Sequence, residues 1–334
     1  MRVSGVGSWP GTSVREPLRV VRDMLGGLAE QGLRGVPYLP ELPSRGPGGD
    51  LVGRGAGVLV DLPVELTPSG WRLTDRAGRD AARVAAYWRE DLDEFAEAFD
   101  GYVGPLKVQV AGPWTLAASI WLPRGDRVVV DAGARRDLVH SLADGIRSRV
   151  ADLASLVPGA QLVVQIDEPA LPAVLEGGVP TASGFGRLRA VDQPEVLAGL
   201  RAVLANLSER HTVVHCCAAD PPLPLLRECG AEGLSLDVGV LGPSGWEGVA
   251  VAVEAGQALY AGCVPTVPED PGAAGSIARS LVDAWTRVGL PLAELDAVTV
   301  TPSCGLAGLA PQPAILRQRR CVEVAREVVE LASA

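Results

Sequence analysis

The sequence predicts an α/β protein built as a (β/α)8 TIM barrel, and three features carry that expectation. Eight short apolar runs of β type are spread along the 334 residues and alternate with longer helical patterns. The runs are largely apolar, as in strands covered on both faces of a parallel sheet. Ionisable or metal-capable side chains stand at the carboxyl ends of several runs, the end at which a parallel barrel builds its sites. A doubly wound open sheet is the alternative arrangement of the same units.

The first run, "VSGVGS" (3–8), ends on a glycine–serine step. Its surroundings, "GVGSWPG", are not a dinucleotide fingerprint, because the third glycine is misplaced and Pro10 intervenes. The second strand is expected at "GVLVDL" (57–62). It follows the Gly/Pro-rich stretch 43–57, which reads as a functional loop as readily as a boundary. Helical spacing then covers 80–99, before the third strand "KVQVAG" (107–112). A second helix over 135–156 leads to "QLVVQID" (161–167), which ends on Asp167. "TVVHCC" (212–217) ends on His215 and Cys217, and "GLSLDV" (233–238) contains Asp237. "ALYAGC" (258–263), a helix over 274–288, "AVTVTPS" (297–303) with Cys304 just beyond, and a helix over 314–332 complete the series. No dividing linker or short repeat is visible, so one catalytic barrel domain is expected over residues 1–334.

Hydrophobic residues make up 47% of the chain, enough for a sizeable core, and the formal net charge is −10. No block of lysine and arginine stands out, which argues against a nucleic-acid surface. The first residues lack a basic segment followed by an apolar one, and no run is long enough to span a membrane. A cytoplasmic protein without membrane or nucleic-acid partners is therefore expected. Six scattered cysteines in such a chain suggest metal ligation or catalysis more than a disulfide framework.

Zinc takes three or four tetrahedral ligands from Cys, His and carboxylate side chains. His215 and Cys217 stand two apart, so on a strand they share a face while Cys216 turns into packing. Cys304 arrives from another strand end and closes such a site. Buried cysteine acting as a small hydrophobe is the competing reading, and it suits Cys229, Cys263 and Cys321. His140 and His211 read as structural histidines. In "QIDEPAL" (165–171), Asp167 and Glu168 are placed to hold an ammonium group or act as a base; a cap or loop ion pair is the alternative. Trp114 and Trp121 in "AGPWTLAASIW" (111–121) either wall a planar ligand or fill the core.

Together these motifs resemble the catalytic half of cobalamin-independent methionine synthases and their superfamily of zinc-dependent thiol methyltransferases, which shares the uroporphyrinogen decarboxylase barrel. The resemblance runs through "VGSWPGT" (6–12), "PELPSR" (40–45), "GPWTLA" (112–117), "QIDEPAL", "HCC" (215–217), "SLD" (235–237) and "PSCGL" (302–306). It implies zinc ligation by His215, Cys217 and Cys304, with Asp237 where the family has a glutamate. It also implies homocysteine binding by Val6, Gly7, Ser8, Glu41 and Asp167, with a folate or a corrinoid protein as methyl donor. Three departures accompany it. The stretch 262–270 lacks the family's proton-donating histidine, Ala173 stands where the family contacts folate through a glutamate, and the folate-stacking tryptophan falls near Ser119. The activity implied is homocysteine S-methylation to methionine. The alternatives are a uroporphyrinogen-decarboxylase-like enzyme and a non-catalytic thiol- or amino-acid-binding relative.

Overall fold

A computed structural model describes the chain except for residues 208, 268, 269 and 334. Its central sheet has eight parallel strands in the spatial order β2-β1-β10-β9-β8-β7-β6-β5. These are β1 (Arg2–Val3), β2 (Arg34–Gly35), β5 (Gly104–Ala111), β6 (Ala160–Asp167), β7 (His211–Cys216), β8 (Gly233–Leu236), β9 (Ala258–Val264) and β10 (Thr299–Pro302). A separate hairpin, β3 (Val64–Thr67) and β4 (Gly70–Leu73), stands apart from them. Beyond β2 the chain runs alongside β5 and closes the ring. Lys107 N donates to Pro37 O at 2.8 Å, and Leu39 N donates to Lys107 O at 3.0 Å. Helices surround the strands, which makes this the expected TIM-barrel architecture.

Strand alternation sorts the side chains. Leu106, Val108, Val110, Leu162, Val164, Ile166, Val214 and Cys216 face the helices and belong to the main hydrophobic core. The other face of the same strands turns inward. Val163, Val213 and Tyr260, with Val36, form an apolar plug inside the barrel. Above this plug, towards the carboxyl ends, the inward positions become polar: Gln109, Gln165, Asp167, His215 and Ser235, all buried. The register sets Ala111 opposite Asp167, Asp167 opposite His215, and His215 opposite Ser235.

The second strand differs from expectation. Residues 57–62 follow the helix Leu51–Ala56 as irregular chain. This segment is apolar because it packs under the helix Ala132–Leu156, where Ser141 Oγ donates to Val60 O at 2.6 Å. The barrel strand comes instead from residues 34–41. Pro37 and Pro40 break up its apolar run and remove ladder donors, which hides it from periodicity. The four strongest helical patterns do form helices, at Arg79–Ala98, Ala132–Leu156, Ala274–Arg287 and Pro311–Ser333. Asp131 caps the second of these through Ala134 N at 2.8 Å. The last is tied to the barrel by buried Gln318, which accepts from Tyr38 Oη and donates to Ser4 O. Among the described residues no helix is long and apolar enough to cross a membrane.

Close packing makes one glycine indispensable. A Cβ on Gly145 would sit 1.8 Å from the Val58 carbonyl oxygen, a backbone atom that cannot step aside. Gly145→Val is expected to lower stability by at least about 2–3 kcal/mol through overpacking. Arg147→Ala, on the exposed side of the same helix, should change it by less than about 0.5 kcal/mol. Urea midpoints for the two variants check this; equal midpoints would contradict the tight contact.

Candidate functional site at the carboxyl ends of the strands

β7 presents His215 inward, and the chain just past the strand carries Cys217. The loop after β10 brings Cys304 across the barrel mouth, with its Sγ 3.7 Å from Cys217 Sγ. His215 lies near enough to the Cys304 sulfur to lower its pKa as well. The other side of its ring is held by Ser235: Nδ1 lies 2.9 Å from Oγ and 3.1 Å from the carbonyl oxygen. A carbonyl can only accept, so Nδ1 carries the hydrogen and Nε2 is left free to ligate. The Cys217 sulfur first of all, and then His215, pull the Cys304 thiol well below the ordinary range, while Cys304 and burial push Cys217 up. The two sulfurs thus titrate as a linked pair. Cys216 points the other way, fully buried, and burial raises it to about 11.

Asp237 follows β8 at the same mouth, half-buried, with Oδ1 accepting from Gly239 N at 3.1 Å. Burial raises its pKa first of all, and it senses the charges of Cys304 and His215. Among the described residues no three His, Cys, Asp or Glu side chains already stand as a complete metal cage. The donor set nevertheless fits a soft, tetrahedral ion. Two thiolates about 2.3 Å from such an ion lie about 3.8 Å apart, close to the separation of Cys217 and Cys304.

Val6, Gly7 and Ser8 border this cluster. Leu306 N donates to Ser8 O at 2.8 Å, and Gly305 packs directly on Ser8 Oγ, where a Cβ would lie 2.0 Å away. Ser8 is bridged in turn to Glu41, on the chain that continues β2. Glu41 is buried, and burial raises its pKa to about 7 against the pull of Arg54. Arg54 Nε donates to Glu41 Oε1 at 3.2 Å, and Arg54 also pairs with Asp91. Asp167, at the end of β6, accepts from Gln165 Nε2 at 2.7 Å; burial raises it, and His215 is the largest opposing influence.

Two expected substrate contacts belong elsewhere. Glu168 is fully buried and faces the first turn of the helix Pro113–Ser119. Its Oε1 accepts from Trp114 N at 2.9 Å, and its Oε2 accepts from Thr115 N and Thr115 Oγ1, both at 2.7 Å. Burial raises its pKa to about 7 against these donors. Gly112 lets the carboxylate in, since a Cβ there would meet Oε1 at 2.4 Å. Glu168 is therefore a buried helix cap and not an ammonium ligand. Trp114 is 1% exposed, donates from Nε1 to Val196 O at 3.0 Å and packs on Gly199. It fills the core between helices, and the ligand-wall expectation is corrected accordingly. Trp121 donates to Ser69 O and stacks under Arg127 at the hairpin.

Other site neighbours went unmarked in the sequence reading. Lys107, Gln109 and Gln165 lie inside the barrel beneath the acids, and Arg54 lies beside Glu41. Their signal was available in principle: polar residues two apart inside otherwise apolar strands mark the inward face. A cavity of about 740 Å3 opens at the opposite, N-terminal mouth, where Arg2, Arg34, Arg210, His211 and Tyr260 line it. None of the candidate site residues borders it.

Comparison with known proteins gives the family and the fold. The family model described as "Cobalamin-independent synthase, Catalytic domain" matches residues 105–327. No curated protein matches the chain. Among solved structures, a B12-independent methionine synthase from Shewanella sp. W3-18-1, in complex with selenomethionine, is similar in fold. It has a TM-score of 0.63, 14% identity and coverage of 99% of each chain. The carboxyl transferase domain of Rhizobium etli pyruvate carboxylase, with 3-bromopyruvate, aligns over 70% of this chain and 43% of its own, at 15% identity and a TM-score of 0.28.

The cap at Glu168 gives a direct test. Glu168→Gln exchanges one acceptor oxygen for an NH2 group facing backbone donors, and should cost about 2 kcal/mol of stability. Urea unfolding measures it; an unchanged midpoint would contradict the capping role.

Proposed function

The chain belongs to the family of cobalamin-independent synthase catalytic domains, and we propose that it is a zinc-dependent methyltransferase converting homocysteine to methionine. The observation that carries the reading is the Cys217–Cys304 sulfur pair at 3.7 Å, with His215 near enough to the second sulfur to lower its pKa. His215, Cys217 and Cys304 would hold the zinc, and Asp237 is the carboxylate beside them. Bound there, zinc depresses the pKa of a coordinating thiol, about 8.5 when free, so that the acceptor reacts as thiolate at neutral pH.

The remaining work falls to the protein. The carboxylates of Asp167 and Glu41 face the mouth from two sides and would receive the substrate ammonium group. The backbone of Val6–Ser8 and the Ser8 hydroxyl would take its carboxylate. Holding the amino acid at three points aims its sulfur at the incoming methyl group. The sulfur–carbon bond forms as the donor–methyl bond breaks; the thiol proton leaves to solvent when the acceptor binds, and the donor keeps the bonding pair, a folate nitrogen then taking a proton from solvent. The selenomethionine bound by the Shewanella synthase has the skeleton of such a product. The donor is read as a folate or a corrinoid protein. The whole chain is read as one catalytic barrel domain. Its six free cysteines suit the reducing cytoplasm.

Purified protein should hold about one zinc per chain, and Cys217→Ala or Cys304→Ala should lose most of it. Metal analysis decides this: full retention by both variants would sink the site. Homocysteine should bind with release of about one proton, seen by calorimetry in two buffers. Asp167→Asn should weaken that binding on the order of tenfold or more while keeping the zinc. Equal affinity would remove Asp167 from the pocket.

A further inference from the structure

Lys107 is 0% exposed and sits inside the barrel. Its β6 partner in register is Val163, part of the apolar plug, so a hydrophobic side chain would suit that level of the interior. A buried ammonium group is costly unless its position has a use. No carboxylate pairs with it directly among the described residues. Its Nζ donates instead to Val6 O at 2.7 Å and to Gln109 Oε1 at 3.2 Å, and it lies 5.3 Å from the centre of the Tyr38 ring.

The acceptor is the informative part. Val6 O takes a second hydrogen bond, from Gln165 Nε2 at 2.9 Å, which occupies both of its lone pairs. Gln165 Nε2 also donates to Asp167 Oδ1 at 2.7 Å. On the other side, Gln109 Nε2 donates to Leu39 O at 2.6 Å, two residues before Glu41. One unbroken chain of hydrogen bonds therefore runs from Asp167 through Gln165, Val6 O, Lys107 and Gln109 to Leu39. It links the three elements that carry Asp167, Val6–Ser8 and Glu41. Gly7 seals it from above, since a Cβ there would meet the Gln109 side chain at 2.8 Å.

We propose that Lys107 is a positioning residue: by holding the Val6 carbonyl from below, it sets the Val6–Ser8 backbone at the distance from Asp167 and Glu41 that an amino-acid substrate spans. The inference rests on the homocysteine reading for the identity of that substrate. Lys107 itself stays beneath the pocket floor. Its pKa is drawn down to about 8 by burial, against the attraction of Asp167 and Glu41, so a positive charge under two acids also helps both to stay ionised.

The test uses the full chain with zinc bound, in Lys107→Met and Lys107→Arg variants. Hydrogen exchange across residues 5–9 and calorimetric binding of L-homocysteine are measured together with zinc content. Lys107→Met should speed exchange in that segment and weaken homocysteine binding on the order of tenfold. Zinc content should stay unchanged, and Lys107→Arg should restore part of the affinity. Gln165→Met, which removes the other donor to Val6 O, should show the same pattern and serves if Lys107→Met does not fold. Unchanged exchange with affinity within twofold of wild type would overturn the positioning role. Absence of homocysteine binding by the wild-type protein would instead strike the methyl-transfer reading, and the exchange measurement would still decide the role of Lys107.

Discussion

The side-by-side register of β6, β7 and β8 is the constraint on which the mouth of this barrel depends. It sets Asp167 beside His215 and His215 beside Ser235, all on the inward face. A slip of one residue in β7 would turn His215 outward into the helices and bring Cys216 in. Because Ser235 engages Nδ1, the ring is held in a single orientation with Nε2 free. Cys304 enters from the far side of the ring, and its approach is set by Gly305 packed on Ser8. The cluster is thus assembled by four strand ends whose relative heights are fixed by ladder hydrogen bonds, not by loops alone.

Support for this arrangement comes from buried polar groups that never touch the mouth. Glu168 spends its carboxylate on the first turn of the helix Pro113–Ser119, which fixes the chain after β5 against the end of β6. Its own N–H donates to His215 O at 2.8 Å, so the cap and the candidate ligand share a junction. Beneath them, the interior chain from Asp167 to Leu39 joins β6, β1, β5 and the extension of β2. Arg54 and Arg45 converge on buried Asp91 and brace Glu41 from outside. These groups desolvate charges at real cost, and each is compensated by specific donors.

Seven of the eight barrel strands were legible because their outward faces are apolar and several of their ends carry His, Cys or Asp. The second strand was not: Pro37 and Pro40 interrupt the 34–41 segment, while the apolar run at 57–62 owes its character to packing on a helix. The pairing of His215 with Cys217 could be read from strand periodicity, and Cys304 from its place after the last strand. Glu168 misled because a carboxylate beside Asp167 looks the same in sequence whether it faces substrate or caps a helix whose first turn lies 53 to 54 residues earlier in the chain. Trp114 misled because burial is invisible in composition. Lys107, Gln109 and Gln165 were overlooked because they stand inside runs taken as uniformly apolar, and only the closed barrel shows that their side of the strand faces inward.

The central claim is that Cys217, Cys304 and His215 share one metal and that the acceptor sulfur joins them. X-ray absorption at the zinc edge of the purified protein, before and after adding homocysteine, tests it most directly. The account predicts two sulfur scatterers at about 2.3 Å with at least one nitrogen at about 2.0–2.1 Å, and a third sulfur once homocysteine is present. A first shell of only nitrogen and oxygen, or a sulfur count that homocysteine leaves unchanged, would contradict it.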